Sequence, residues 1–177
     1  LYGALIVKEH QSEISARDIV LLADDWRLNK DYALDEASFG NLHDWSHGGR
    51  LGNWLTINGK SKPNIYLPNS GQVRFRLINA ANARKLSFQF GNGQKVKVIS
   101  LDGAPCEPFN IDTIKLGPAQ RMDVLVDITE NLDILNEVST GNKFVAARFL
   151  FLSDSSVGVS RVTIHDAKPW YPMPKLE

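Results

Sequence analysis

The chain has 177 residues, with 20 Lys plus Arg against 20 Asp plus Glu and a formal net charge of zero. That balance gives no long-range pull toward nucleic acid or anionic lipid, so neither nucleic acid nor membrane is an expected partner. No apolar run approaches the roughly 18–20 residues of a membrane-spanning helix, and a single cysteine, Cys106, excludes an internal disulfide.

In chain order, residues 1–7 (LYGALIV) form a strand-like apolar run that starts without Met, and polar residues 8–15 read as a linker. Residues 18–23 (DIVLLA) are a short apolar run bounded by charge, the pattern of a buried strand. It ends at Asp24-Asp25-Trp26. This acid pair reads either as solvation and turn chemistry at a strand end or as a general acid/base pair. No nucleophile or metal motif lies beside it, which favours the first reading. Residues 28–53 are irregular and glycine-rich, a loop insertion of the kind that often carries function. Whether residues 32–39 form a short helix is left open. Residues 54–58 form the next strand, with Asn58-Gly59 as a hairpin signal, and Pro63 and Pro68 confine residues 65–67 to an edge.

Residues 71–103 carry the clearest periodicity. Val73, Phe75 and Leu77 alternate with Gln72, Arg74 and Arg76; Leu86, Phe88 and Phe90 repeat the pattern, and Val96 and Val98 alternate with lysines. A period of two buries one face of a strand and leaves the other wet. Asn92-Gly93 predicts a tight hairpin between the second and third of these strands. Residues 104–108 read as a proline-bounded turn, 113–116 and 121–128 as strands, 129–141 as loop, and 143–152 and 158–165 as the strands that close the sheet. About nine to eleven short strands without a long helix predict a Greek-key sandwich or barrel. The tail KPWYPMP reads as a linker leading out of the domain.

RFRLINAANARKLSFQF (residues 74–90), VKVISLDG (96–103) and GPAQRMDVLVDI (117–128), with DDW at 24–26 and LTINGK at 55–60, carry a resemblance in their order. The set resembles the middle cupredoxin domain of three-domain multicopper oxidases, of the bacterial copper-export type and its copper-free periplasmic relatives. The resemblance implies an all-β, cupredoxin-like Greek-key β-sandwich or barrel with a long loop insertion. It places 1–7 as the last strand of a preceding domain, 8–166 as the cupredoxin-like second domain, and 167–177 as a linker to a following domain. Leu176-Glu177 is readable as a vector remnant. The resemblance also implies a periplasmic or secreted parent that oxidises a reducing substrate or Cu(I) and reduces dioxygen to water. Its copper sits in the flanking domains, which are the expected partners, and none is expected in this chain. The alternative is a copper-free periplasmic scaffold of the same family.

No catalytic or cofactor-binding residue is assigned, because the family's His-x-His and His-Cys-His motifs do not occur. A blue-copper site needs two imidazoles and a thiolate, and Cys106 has no histidine near it in sequence, so it reads as a small packed residue. Where copper-bearing relatives would place a histidine stand Asn92, Gly93 and Gln94. The metal candidates are His43 and His47, whose i, i+4 spacing would share one helix face. Gly48-Gly49 and poor helix formers argue against a helix long enough to hold them. A third reading is therefore a small metal-binding domain using this pair, against histidines with hydrogen-bonding or interface roles. His10 and His165 stand alone. Gly48, Gly49 and Gly52 around Arg50 lack the strand-to-helix context of a phosphate loop and read as turns. Trp26, Trp45 and Trp54 bracket the loop, and Trp45, Arg50 and Trp54 are the interface candidates; the competing reading is that the tryptophans cap the local core.

Overall fold

The computed structural model describes residues 2–7, 16–139 and 141–152. Eleven strands lie among them: β1 (Arg17–Trp26), β2 (Trp54–Ile57), β3 (Asn64–Leu67), β4 (Gly71–Asn79), β5 (Leu86–Phe90), β6 (Val96–Leu101), β7 (Ala104–Ile111), β8 (Ile114–Leu116), β9 (Arg121–Ile128), β10 (Leu132–Ser139) and β11 (Asn142–Phe151). One sheet has the order β2-β1-β4-β9-β6-β7 and the other β3-β11-β10-β5-β8. Both are mixed, since β1 runs parallel to β4 and β3 parallel to β11.

The alternation read in the sequence decides which side chains enter the space between the sheets. Val73, Phe75 and Leu77 of β4, Val124 and Val126 of β9, and Val96 and Val98 of β6 face Phe88, Phe90, Ile134 and Phe149 of the other sheet. The Phe75 ring meets those of Phe149 and Phe90 at 4.9 and 5.4 Å. Each such side chain stabilises the fold by about 1.5–3 kcal/mol through burial. On the outer face of the larger sheet, Arg74 donates to Asp123 at 2.7 Å, and Arg76 spans Asp18 and Asp123. Partnered carboxylates let arginines stand on that face at low solvent exposure.

Several expectations are corrected. Asn92-Gly93 does not close a hairpin: β5 pairs with β10 and β8, whereas β6 pairs with β7 and β9, so a short 3-10 turn at Gly91–Gly93 carries the chain between sheets. The Asn58-Gly59 turn does form, bridging Ile57 and Lys60, but β2 and β3 then part into different sheets. A two-residue hairpin forms instead at Asp102-Gly103, both at positive φ, joining Leu101 to Ala104. Residues 104–108, expected as a turn, therefore belong to β7, whose edge position tolerates Pro105 and Pro108. Residues 132–139, expected as loop, form β10, which sends Leu132 and Ile134 into the core and pairs with β5 and β11. Residues 2–7 pair with no strand of these sheets. The expected strand at 158–165, the linkers at 8–15 and 167–177, His10 and His165 lie outside the described residues.

Candidate docking surface at the end of the first strand

Odd positions of β1 (Ile19, Leu21, Ala23) belong to the core, so Asp25 continues inward and Asp24 and Trp26 point to the outer face. Asp25 is buried. Its Oδ2 accepts from Arg84 Nε at 2.7 Å and from the Gly52 backbone N–H at 2.6 Å, while Arg84 also donates to the Gly52 carbonyl. Oδ1 of the same carboxylate is buried with no hydrogen-bond partner among the described residues. A Cβ on Gly52 would lie 2.6–2.8 Å from backbone atoms of Asp25 and Trp26. Only glycine lets the returning chain press this close to β1. Asp24 is buried too, which corrects the expectation of a solvated pair. Its Oδ1 accepts from the Asp25 N–H at 2.8 Å, and its Oδ2 accepts from the Tyr2 hydroxyl. Burial pushes the Asp24 carboxyl above its ordinary range. Tyr2 is pushed up to about 12, by burial first and then by its hydrogen bond to Asp24 and that neighbour's charge.

The loop between β1 and β2 is held by polar contacts. Arg27 grips both oxygens of Asp44 at 2.7 and 3.3 Å and donates to the Leu51 carbonyl, and its hydrogen bond holds the Asp44 carboxyl below its usual range. The Asn53 side chain pairs reciprocally with the backbone of Leu28 at 2.8 and 2.9 Å. Arg50 donates to Ser38 Oγ at 2.9 Å, and its guanidinium stands 4.7 Å over the Phe39 ring. Asn41 caps α1 (Leu42–Ser46) through the N–H groups of His43 and Asp44. The open question over 32–39 resolves as a single 3-10 turn at Glu36–Ser38.

Apolar side chains stand outside this polar frame. Trp45 on α1 is 77% exposed and Leu42 75%. Trp26 and Trp54 are cross-strand neighbours on the outer face, both exposed, and Trp54 meets the exposed Tyr32 edge-on at 5.5 Å. None of the three tryptophans is among the buried core residues. Arg50 is turned into the loop and serves its internal order. Sequence reasoning missed the parts that hold this corner: Arg84 lies in the β4–β5 connection and Tyr2 far upstream, with no local signal linking either to the acid pair.

His43 lies on α1 and His47 at its C-terminal cap. Their rings stack at 4.3 Å, and His47 Nδ1 is 2.8 Å from Ser46 Oγ. Asp44 is taken by Arg27, and no group of three ligating side chains exists among the described residues. Cys106 lies on β7, the edge of the larger sheet opposite β2. Five inter-strand steps of about 4.8 Å put roughly 24 Å between those edges. The described residues do not fit a blue-copper ligand set. Among them, no helix is long and apolar enough to cross a membrane.

Residues 17–141 match the family model described as multicopper oxidase. The cell division protein FtsP of Edwardsiella tarda is 33% identical over 136 residues, 76% of this chain and 29% of that protein. FtsP of Escherichia coli K12 is 29% identical over the same shares. Among solved structures, the laccase-like multicopper oxidase CueO from Ochrobactrum sp. superposes with a TM-score of 0.68 at 28% identity, covering 82% of this chain and 33% of that one. A multicopper oxidase from Pseudomonas thermotolerans reaches 0.71 over 85% of this chain at 21% identity, a likeness of fold alone. The chain thus spans about a third of the length of these relatives. With most of its sandwich inside the matched segment, the chain belongs to the multicopper oxidase family.

Proposed function

We propose that this chain is the central, copper-free structural domain of a longer multicopper-oxidase-family protein, periplasmic or secreted, whose flanking cupredoxin domains pack against it. In this reading residues 1–7 end the preceding domain, 8–166 form the domain itself, and 167–177 lead to the next. The parent would oxidise a reducing substrate or Cu(I) and reduce dioxygen to water, with copper held outside this chain. The observation that carries the reading is the exposed apolar surface at the β1–β2 end beside a complete core. A domain with its own core and ordered, bare tryptophans is suited to holding neighbours in register.

A second reading keeps the architecture and drops the copper from the parent. The identity to proteins named for cell division favours it. Metal analysis separates the readings. Copper bound stoichiometrically by the longer polypeptide, with none in the 177-residue chain after chelation, supports the oxidase; copper in neither supports the scaffold. A tightly held metal in this chain that disappears in a His47→Ala variant would overturn both and favour a metal-binding domain built on His43 and His47.

A further inference from the structure

The imidazoles of His43 and His47 are exposed, parallel within 9°, and have ring centres 4.3 Å apart. Their surroundings decide which nitrogen of His47 is open. Ser46 spends its hydroxyl proton on the Leu42 carbonyl at 2.8 Å, so its Oγ accepts from His47 Nδ1, also at 2.8 Å. The His43 carbonyl, 3.3 Å from the same nitrogen, can only accept as well. Both neighbours require a proton on Nδ1. The Nε2 lone pair of neutral His47 is then left without a protein partner among the described residues. An imidazole oriented through one nitrogen, with the other bare, is the form in which histidine ligates a metal.

The turn that carries both rings is pinned. Asn41 caps it, Arg27 holds Asp44 at 2.7 Å, and the His47 N–H closes on the His43 carbonyl at 3.1 Å. Behind it Gly49 sits so near Ala83 that a Cβ there would lie 2.6 Å from the alanine methyl. Two metal–nitrogen bonds of about 2.0–2.1 Å reach across at most about 4.2 Å. The ring spacing is close to that reach, and a tilt of two exposed side chains brings both donors onto one ion. From this geometry we propose that His43 and His47 form an open, two-imidazole site for one exchangeable divalent cation of the zinc or copper(II) class, with water completing its coordination. Imidazole donors suit those ions. A closed structural site takes four protein ligands. This two-donor ion is labile and leaves on chelation, unlike the tightly held metal that would displace the structural reading. Ser46 is the positioning residue: it ligates nothing and fixes the His47 tautomer.

The test is a Zn²⁺ titration of the chelated 177-residue chain, followed by calorimetry and by NMR of the histidine rings. One ion per chain should bind and move the spectra of both rings. His43→Ala and His47→Ala should each weaken it at least about tenfold, since losing one donor removes the intramolecular second contact. Without metal, His47 should read as the Nδ1–H tautomer. Ser46→Ala should shift that ring toward Nε2–H and weaken Zn²⁺ by about 10–100-fold, the loss typical of an outer partner of a ligand. His10→Ala and His165→Ala should bind as the unsubstituted chain does. Zn²⁺ binding that survives both His43→Ala and His47→Ala is an adventitious ion only and overturns the proposal, as does an Nε2–H tautomer at His47 in the unsubstituted chain. Absence of saturable binding overturns the site and leaves the central-domain reading standing. An ion that resists chelation and depends on His47 overturns the labile site and that reading together.

Discussion

Two regions of this molecule are rich in aromatic side chains, and they are built in opposite ways. Between the sheets, Phe75, Phe88 and Phe149 are fully buried and fill space against one another. Around the β1–β2 loop, Trp26, Tyr32, Phe39, Trp45 and Trp54 remain exposed, and the order there comes from polar side chains bonded to one another and to backbone: Arg27 to Asp44, Arg50 to Ser38 and Asn53 to Leu28. The interior gains its stability from removing apolar surface from water. The loop holds apolar surface in water at a defined place, where it contributes little to the domain's own folding. Whether an aromatic residue in this chain fills the interior or stands in water therefore depends on which framework carries it.

The comparison breaks most easily in the core. Phe149→Ala should lower the unfolding free energy by about 3–5 kcal/mol in urea titrations, since a large buried side chain leaves a cavity. A loss under about 1 kcal/mol would mean that the sheets do not close over β11. Next is Arg84→Ala, which leaves the Asp25 carboxylate buried without its cation. Because Arg84 is partly exposed, we expect about 2–3 kcal/mol, less than a fully buried pair would lose. Gly52→Ala drives a Cβ into the β1 backbone and should cost about 1–3 kcal/mol, with faster amide exchange across the loop. Unaltered exchange there would show that the loop is not seated on β1.

Acidity distinguishes the regions too. The folded chain holds the Asp24 carboxyl above the ordinary 3.8, so this contribution is fully present below 3.8 and lost as pH rises through the folded value. Asp44 acts in reverse: its contribution, present above 3.8, is lost as pH falls through its depressed value. Tyr2 keeps its proton to about 12 against the ordinary 10.0, so its contribution is present below pH 10.0 and lost as pH rises through 12. In Asp24→Asn the Tyr2 ring should titrate closer to its ordinary value by NMR, and an unmoved titration would rule out the contact. The smallest expected effect is at Trp45. Trp45→Ala should change stability by less than about 0.5 kcal/mol, because the side chain touches mainly water in this chain.

The strands with strict alternation were legible from the chain alone, because a period of two is written locally: Val73, Phe75 and Leu77 need only their neighbours to declare an inward face. Most of the errors in the sheets concern pairing. Asn92-Gly93 has hairpin chemistry, yet β5 and β6 find better partners in opposite sheets. Pro105 and Pro108 look like breakers until β7 proves to be an edge, whereas 132–139 already carries an alternation at Leu132, Ile134 and Val138 that its charged and polar neighbours masked.

The site divides along the same line. The tryptophans bracketing the loop were visible in sequence, and so was the loop itself. Their exposure, the inward turn of Arg50, the burial of Asp24 and Asp25, and the ties to Arg84, Gly52 and Tyr2 were not. Local sequence determines which face of a strand is apolar, where a turn can form and which family the ordered motifs resemble. Tertiary structure alone decides which sheet each strand joins and which charges meet, because contacts between Asp25 and Arg84, or Tyr2 and Asp24, join residues far apart in the chain, and no local periodicity encodes them.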